Sequence, residues 1–349
     1  MRRVLVAGGA GFIGSNFIRH LLRERPKVEV VNFDALTYAG NPDNLRDVSA
    51  DAPAAARYRF VEGSINDPDA LIEAMRGCDA IVNFAAETHV DRSIHDAADF
   101  IETNVRGAYN VLSVARDLGV ERVLHISTDE VYGPATRDDP RREDDPFRPR
   151  SPYAVSKAAG DMMCRAFAET YGLQVVVARP ANNVGPYQYP EKAIPLFVTN
   201  ALDGQPLPVY GEGLQQRDRL YVEDNVRALL LLLERGERGE AYNVQADNHR
   251  PNIDVARAIL DLLDKPYDLI QFVEDREGHD HCYWMDWSKL RALGWQPVHD
   301  FDAAMERTVR WYVDNRWWWE KIKSGDFRRY YERQYGRRLE QARPYGATR

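Results

Sequence analysis

The chain has 349 residues, 44% of them hydrophobic and 29% charged, enough for one large α/β domain with a smaller one attached, and this composition excludes a disordered chain. A formal net charge of -8 argues against nucleic acid or an acidic membrane surface as partner, because neutralising phosphates takes clustered Lys and Arg; a small molecule is expected instead. The three cysteines, Cys78, Cys164 and Cys282, lie far apart with no C-x-x-C pair, so neither zinc nor a disulfide framework is indicated, no metal is expected, and a reducing cytoplasm fits.

Two arginines and an apolar run give the N-terminus a superficial signal-peptide look, but the run breaks at once into Gly8, Gly9, Gly11 and Gly14, so 4–7 reads as a strand entering a turn. The helical pattern at 12–23 and the apolar run at 28–33 complete a strand–helix–strand unit. Further strands are predicted at 58–61, 80–84, 123–127 and 175–178, with helices at 68–75, 98–118 and 153–171 between them. This alternation specifies an α/β fold with a doubly wound parallel sheet of the Rossmann type. The charged, proline-rich stretch 135–150 has no periodicity and reads as a surface loop or flap. After about Pro180 the alternation weakens, which divides the chain into a dinucleotide-binding domain, 1–180, and a mainly substrate-covering lobe, 181–349, with an approximate boundary across which segments interleave. The aliphatic run 228–233 is too short to cross a bilayer. From Trp317 onward, aromatics mixed with Arg and Lys predict an amphipathic helix packed on the body.

Gly8, Gly11 and Gly14 stand at G-x-x-G-x-x-G spacing between a predicted strand and a predicted helix, where glycine permits a tight turn and lets backbone N–H groups approach a pyrophosphate. Asp34 ends the next strand twenty positions after Gly14, placed to accept hydrogen bonds from an adenosine ribose. No arginine follows it in Ala35-Leu36-Thr37-Tyr38, and a carboxylate there repels a 2′-phosphate, so NAD is expected rather than NADP.

Tyr153 and Lys157, spaced i,i+4 at the start of a predicted helix, share one face. A tyrosine with pKa about 10 becomes a base near neutrality only if lowered by about three units, or about 4 kcal/mol. One ammonium about 4 Å away at an effective dielectric near 20 supplies roughly that much. The run Ser127-Thr128-Asp129-Glu130-Val131-Tyr132-Gly133 follows an apolar strand, so its polar residues emerge at the carboxyl end of the sheet, where ligands bind. Its two adjacent carboxylates are read either as an acid and base moving protons in both directions or as a solvated acidic turn capping the next segment.

These residues belong to a longer set of motifs: Gly8-Gly9-Ala10-Gly11-Phe12-Ile13-Gly14, Leu36-Thr37-Tyr38-Ala39-Gly40-Asn41, Ala85-Ala86-Glu87-Thr88-His89-Val90-Asp91-Arg92-Ser93, Ser151-Pro152-Tyr153, Asn182-Asn183, Pro190-Glu191-Lys192 and Tyr221-Val222-Glu223-Asp224. With them the whole chain resembles the dTDP-glucose 4,6-dehydratases of the extended short-chain dehydrogenase superfamily. The glycine and Tyr-Lys motifs are superfamily-wide; the Thr-Asp-Glu and Pro-Glu-Lys segments are far more specific. The resemblance implies tightly held NAD and a nucleotide-activated glucose, dTDP-glucose or UDP-glucose, converted to its 4-keto-6-deoxy derivative. In that scheme Tyr153 takes the C4 hydroxyl proton, Glu130 the C5 proton, Asp129 protonates the departing C6 hydroxyl and Thr128 bonds the C4 oxygen.

The cofactor contacts expected are Gly8, Gly11, Phe12, Ile13, Gly14, Asp34, Leu36, Thr37, Ser64, Ile65, Phe84, Ala85, Ala86, Thr88, Thr103, Tyr153, Lys157 and Asn183. For the substrate they are Thr88, Thr128, Asn182, Glu191, Lys192, Pro195, Leu196, Pro208, Tyr210, Arg217, Asn248, Arg276, His279 and Tyr283; Arg217 and Arg276 suit a diphosphate bidentately, Lys192 only as a point charge. A homodimer through the helices at 98–118 and 153–171 is also implied, the competing reading being that their apolar faces are buried within one chain. Several positions depart from the family pattern: Ser64 replaces an aspartate, Val184 a tyrosine and Arg219 a tryptophan, while His281 and Cys282 replace arginines, which puts the identity of the nucleotide base in doubt. A sugar-nucleotide 4-epimerase or decarboxylase shares the glycine and Tyr-Lys motifs but needs no acid and base at C6 and C5. A dinucleotide-binding sensor without catalysis needs none of Thr128, Tyr153 and Lys157.

Overall fold

A computed structural model describes residues 1–347. Seven parallel strands form the central sheet: β1 (Arg3–Ala7), β2 (Glu29–Asp34), β3 (Tyr58–Glu62), β4 (Ala80–Asn83), β5 (Arg122–Ile126), β6 (Val175–Pro180) and β7 (Ala241–Val244), in the order β7-β6-β5-β4-β1-β2-β3. Val4 of β1 pairs with Val30 on one side and Ala80 on the other. Both faces of β1 are apolar, and alternation sends them to different cores. Val4 and Val6 join Phe17, Ile18 and Leu21 of the helix Phe12–Glu24 and Leu229, Leu232 and Leu233 of the helix Val222–Arg235. Leu5 and Ala7 join Leu71 and Met75 on one helix, Leu112 and Ala115 on a second, and Cys164 and Phe167 on a third. The sheet is therefore doubly wound, with helices over both faces.

The first six strands fall where the apolar runs predict them, with ends shifted by a residue or two. The seventh lies beyond Pro180, and the aliphatic run at 228–233 is spent covering the sheet beside it, so the chain past 180 serves both the sheet and the lobe. No helix among the described residues is long and apolar enough to cross a membrane. The helix predicted at 98–118 is continuous but changes pitch: Ala98–Ile101 and Ala108–Asp117 are α-helical and Glu102–Gly107 between them is π-helical. The lobe has its own core, in which Val184, Phe197, Val209, Ile259, Trp318 and Trp319 pack together.

The stretch 135–150 has no helix, as expected, but it is pinned by its backbone rather than free. Ala135 N donates to Cys282 O at 3.0 Å, Arg141 N to Trp284 O at 2.8 Å and Arg148 N to Val131 O at 3.0 Å. The tail forms two helices, Arg316–Ile322 and Asp326–Glu340. Trp318 anchors the first: the ring is buried against Tyr187, Trp311 and Tyr312, and its Nε1 donates to Asn44 Oδ1 at 2.8 Å. Asn44 in turn donates to Ala10 O in the glycine turn at 2.8 Å, tying the tail to that turn. Trp318→Ala is expected to cost about 3–5 kcal/mol of stability, read from the urea midpoint, because it leaves a cavity and a bereft Asn44 acceptor.

Candidate active site

Glycine is required at two points of the turn after β1. Gly8 has φ +75°, and a Cβ there would lie 2.5 Å from Ala85 N; a Cβ on Gly14 would lie 2.3 Å from Gly8 O. Gly11 is different: a Cβ would meet only Gly8 O, at 3.3 Å, so protein packing leaves the space above it open. Gly11 caps the helix Phe12–Glu24 without any side-chain acceptor for its first N–H groups, the arrangement that takes an anion. Asp34 shapes the same turn, its Oδ2 accepting from Ala10 N at 2.9 Å and its Oδ1 from Leu36 N at 2.9 Å. Leu36 itself takes φ +49° to make that bond.

A cavity of about 940 Å³ opens above this turn, lined by every expected cofactor contact except Leu36, whose backbone serves Asp34 instead. Asn66 Oδ1, Ser127 Oγ, Asn182 Oδ1 and Asn183 Oδ1 are buried on its walls without a hydrogen-bond partner. Buried polar atoms left unsatisfied are costly, so the cavity is built for a polar ligand, and its donors and acceptors fit a dinucleotide.

At the carboxyl end of β5 the Thr-Asp-Glu run enters the same cavity as a short 3-10 turn, Asp129–Tyr132. Thr128 caps it, accepting from Glu130 N at 3.3 Å and donating to Asp129 Oδ1 at 3.0 Å. Asp129 is buried; loss of water, and then the neighbouring Glu130 carboxylate, raise its pKa to about 7. Burial also raises Glu130, opposed by the cations Arg276, Arg217 and Lys192. The two carboxylates are therefore not a solvated acidic turn.

Tyr153 and Lys157 project from the first turns of the helix Pro152–Tyr171, which Ser151 caps through Ala154 N. Their electrostatics correct the expectation that the ammonium lowers the phenol. Lys157 Nζ donates to Ile126 O at 2.6 Å, and burial lowers its pKa to about 8. The Tyr153 phenol is raised by burial and then by Glu130, a hydrogen bond with Thr128 working the other way. Tyr153 is held as the neutral phenol, because burial and the neighbouring Glu130 carboxylate both disfavour a phenolate.

The expected substrate contacts fall into two groups. Thr88, Thr128, Asn182, Glu191 and Lys192 line the cavity. Pro195, Leu196, Pro208, Tyr210, Arg217, Asn248, Arg276, His279 and Tyr283 do not; they lie in the lobe with their polar groups bonded to protein. Arg217 donates to Gln216 O at 2.7 Å and Asp280 O at 2.8 Å and stacks 4.4 Å above the Tyr283 ring. Arg276 and Tyr210 both reach Asp91, at 3.4 Å and 3.2 Å. His279 Nδ1 meets Asp275 at 2.6 Å, and Asn248 Nδ2 donates to His299 O at 3.0 Å. Arg217 and Arg276 nevertheless act on Glu130, so the two groups adjoin.

Half of the wall residues were not among the expected contacts, and those from the tail helix, Arg329, Tyr330 and Arg333, belong to a segment taken only as packing. Another is Arg92, whose guanidinium lies 4.1 Å from the Tyr38 ring and 4.4 Å from the Tyr330 ring and pairs with the buried Glu191 carboxylate at 2.9 Å. Arg92 stands within the Asp91-Arg92-Ser93 motif, which carries the signal for it; nothing local marks the tail residues. No cluster able to hold a metal ion exists among the described residues.

The model of the NAD dependent epimerase/dehydratase family matches residues 4–244, spanning the glycine turn, the Thr-Asp-Glu run and the Tyr-Lys helix. The chain belongs to that family. This epimerase/dehydratase is similar to the dTDP-glucose 4,6-dehydratase of Neisseria meningitidis serogroup B, 46% identical over 352 residues that cover 94% of this chain and 98% of that one. A second relative of the same description, from Streptomyces niveus, is 47% identical over 331 residues, covering 93% and 96%. Among solved structures, DesIV (dTDP-glucose 4,6-dehydratase) from Streptomyces venezuelae with NAD and TYD bound matches with a TM-score of 0.88 at 48% identity, over 92% of this chain and 100% of that one.

The raised pKa of Asp129 makes this epimerase/dehydratase pH-sensitive with a definite sign. Below the unfolded value near 3.8 both states hold the proton; as pH rises to about 7 only the unfolded chain releases it, so folding loses stability across that window and no further above it. Asp129→Asn cannot ionise and keeps an acceptor for Thr128. Its stability relative to the parent should rise by roughly 2–3 kcal/mol between pH 5 and pH 8 in urea unfolding. An equal difference at both pH values would mean that Asp129 titrates normally.

Proposed function

We propose that the chain dehydrates a nucleotide-activated glucose, dTDP-glucose, to the 4-keto-6-deoxy sugar with NAD as cofactor. The observation that carries this reading is Asp129, a buried carboxyl with pKa about 7, next to Glu130 in the cavity that also holds the glycine turn. The similarity to dTDP-glucose 4,6-dehydratases over nearly the whole chain supports it. The chemistry needs such a pair: a C6 hydroxyl leaves poorly, and the C5 hydrogen is not acidic until C4 is a ketone.

The Gly8–Gly14 turn, the Phe12–Glu24 helix N-terminus and Asp34 would hold NAD. When bound it supplies the hydride acceptor for C4, the donor for C6 and a positive charge of the sign that favours a phenolate. As the phenolate, which the positive charge of the bound cofactor and the Lys157 ammonium would favour, Tyr153 takes the C4 hydroxyl proton, and Thr128, which contacts the phenol, steadies the C4 oxygen. Glu130, raised by burial with Arg276, Arg217 and Lys192 working the other way, takes the C5 proton as a carboxylate and later returns one. Asp129, half protonated near neutrality, delivers a proton to the C6 oxygen as water departs. Lys157, anchored on Ile126 O, contributes positive charge behind Tyr153. Arg217 and Arg276 exchange their present backbone and Asp91 partners for the diphosphate.

The reading also takes the enzyme as a cytoplasmic homodimer. Val155 and Met162 are exposed seven residues apart on one face of the helix Pro152–Tyr171, and Ile101 and Tyr109 are exposed on the neighbouring helix. An apolar surface of this kind suits an isologous contact with a second copy. Val155→Glu with Met162→Glu should convert a dimer to a monomer in light scattering; a parent that is monomeric at micromolar concentration would remove this part of the reading.

In deuterated water, the protein incubated with dTDP-glucose should yield a 4-keto-6-deoxy product carrying deuterium at C5, and UDP-glucose should turn over more slowly. Glu130→Gln and Asp129→Asn should each lower kcat by about 100-fold or more. A C4-epimerised sugar without deuterium would replace the reading with an epimerase, and turnover of neither sugar nucleotide would remove it.

A further inference from the structure

Behind the cavity, none of its members on the cavity wall, lies a buried polar network centred on Arg179 of β6. Nε and Nη2 grip both oxygens of Asp161 at 2.8 and 2.9 Å, with both side chains almost wholly buried. Nη1 donates to the Tyr132 hydroxyl and, at 2.8 Å, to Glu143 O. Tyr132 donates onward to Asn243 Oδ1 at 2.9 Å on β7, and Asn243 N donates to Glu143 Oε1 at 3.0 Å. A charge on a strand buried on both faces is costly and, of itself, weak support for stability, so a reason for it is to be sought in what it connects.

The connections are specific. Tyr132 closes the turn that begins with Asp129 and Glu130. Asp161 lies on the helix Pro152–Tyr171 one turn beyond Lys157 and two beyond Tyr153, on their buried face. The two reactive pieces of the site come from segments far apart in sequence, and one planar guanidinium, which offers donors in fixed directions, bridges them. The same guanidinium holds both oxygens of the Asp161 carboxylate in place. Around Lys157 stand Asp161, Cys164 and Tyr153 from its own helix and His125 and the Ile126 carbonyl from β5; Asp161 and Cys164 favour its charged form, while burial opposes it. His125 is buried and neutral, its pKa lowered to about 3 by burial and by Lys157 itself.

We propose that Arg179 and Asp161 are positioning residues: Arg179 locks the Asp129–Glu130 turn to the Tyr153–Lys157 helix, and Asp161 keeps Lys157 an ammonium. The effect on turnover rests on the dehydratase reading; the charge of Lys157 does not.

The test uses the full chain labelled with 13C at lysine Cε, with Lys157 assigned by its loss in Lys157→Arg. In the parent, Lys157 should titrate below the other lysines. Asp161→Asn should move it down by roughly one further pH unit and Asp161→Glu should restore it. The alkaline limb of the kcat profile for dTDP-glucose should move with that titration. Tyr132→Phe cuts the link to the turn and leaves the carboxylate, so it should lower kcat about tenfold with KM and the Lys157 titration unchanged. A folded Asp161→Asn whose Lys157 titrates as in the parent, or a Tyr132→Phe with parental kcat, would overturn the proposal. Should Asp161→Asn not fold, Asp161→Glu and Tyr132→Phe decide it. A parent inactive on dTDP-glucose defeats the dehydratase reading and leaves the lysine titration to judge this one.

Discussion

Strands β1 and β4 lie side by side, yet β1 leads toward β2 on one side while β4 leads toward β5 on the other. The segments that follow them must diverge, and the site depends on the crevice this opens at the carboxyl ends of the sheet. The glycine turn fills one lip of the crevice, with Ala85 of the post-β4 segment so near Gly8 that only a hydrogen fits. Asp34 and the Thr128–Glu130 turn, which end β2 and β5, complete the floor because parallel strands all deliver their carboxyl ends to one edge.

Burial then decides the chemistry. Asp129, Glu130, Tyr153 and Lys157 are all shifted toward their neutral forms by loss of water. A site in this state resists charge until a ligand brings its own, which couples proton transfer to occupancy. The lobe shows the same logic: Arg217 is satisfied by main-chain carbonyls and Arg276 by the Asp91 carboxylate, so neither guanidinium is left buried without a partner.

The tail closes the structure from the far side. Trp318 reaches through Asn44 to the carbonyl of Ala10, and Tyr330 packs on the Arg92 guanidinium that holds Glu191. Residues at the two ends of the chain thus support one cavity, and the stretch 135–150, which carries no regular structure, is part of the frame through Glu143 and Arg141.

Local pattern was enough for much of this. The apolar runs of the strands, the glycine spacing, Asp34 at the end of β2, and the strand-then-Thr-Asp-Glu order are one-dimensional features, because a strand in a covered sheet and a turn without Cβ atoms each leave a mark within a few residues. Those features carried the doubly wound sheet, six of its strands, and the glycine turn, Asp34 and the Thr-Asp-Glu run of the cavity; the other expected lining residues came from the family resemblance. What the pattern could not carry were properties that exist only between distant segments. Strand β7 is four residues with nothing to distinguish it until it pairs with β6; Arg329, Tyr330 and Arg333 reach the cavity through the packing of Phe327 and Tyr335 of their helix on Leu196. The phenol of Tyr153 lies above its ordinary pKa, not below, since spacing of i,i+4 puts an ammonium on the same face but says nothing of how much water folding removes or of the Ile126 carbonyl that claims it. Sequence determined which groups could meet, through periodicity and backbone stereochemistry. Tertiary structure decided their charge, because desolvation is a property of the whole packed surround.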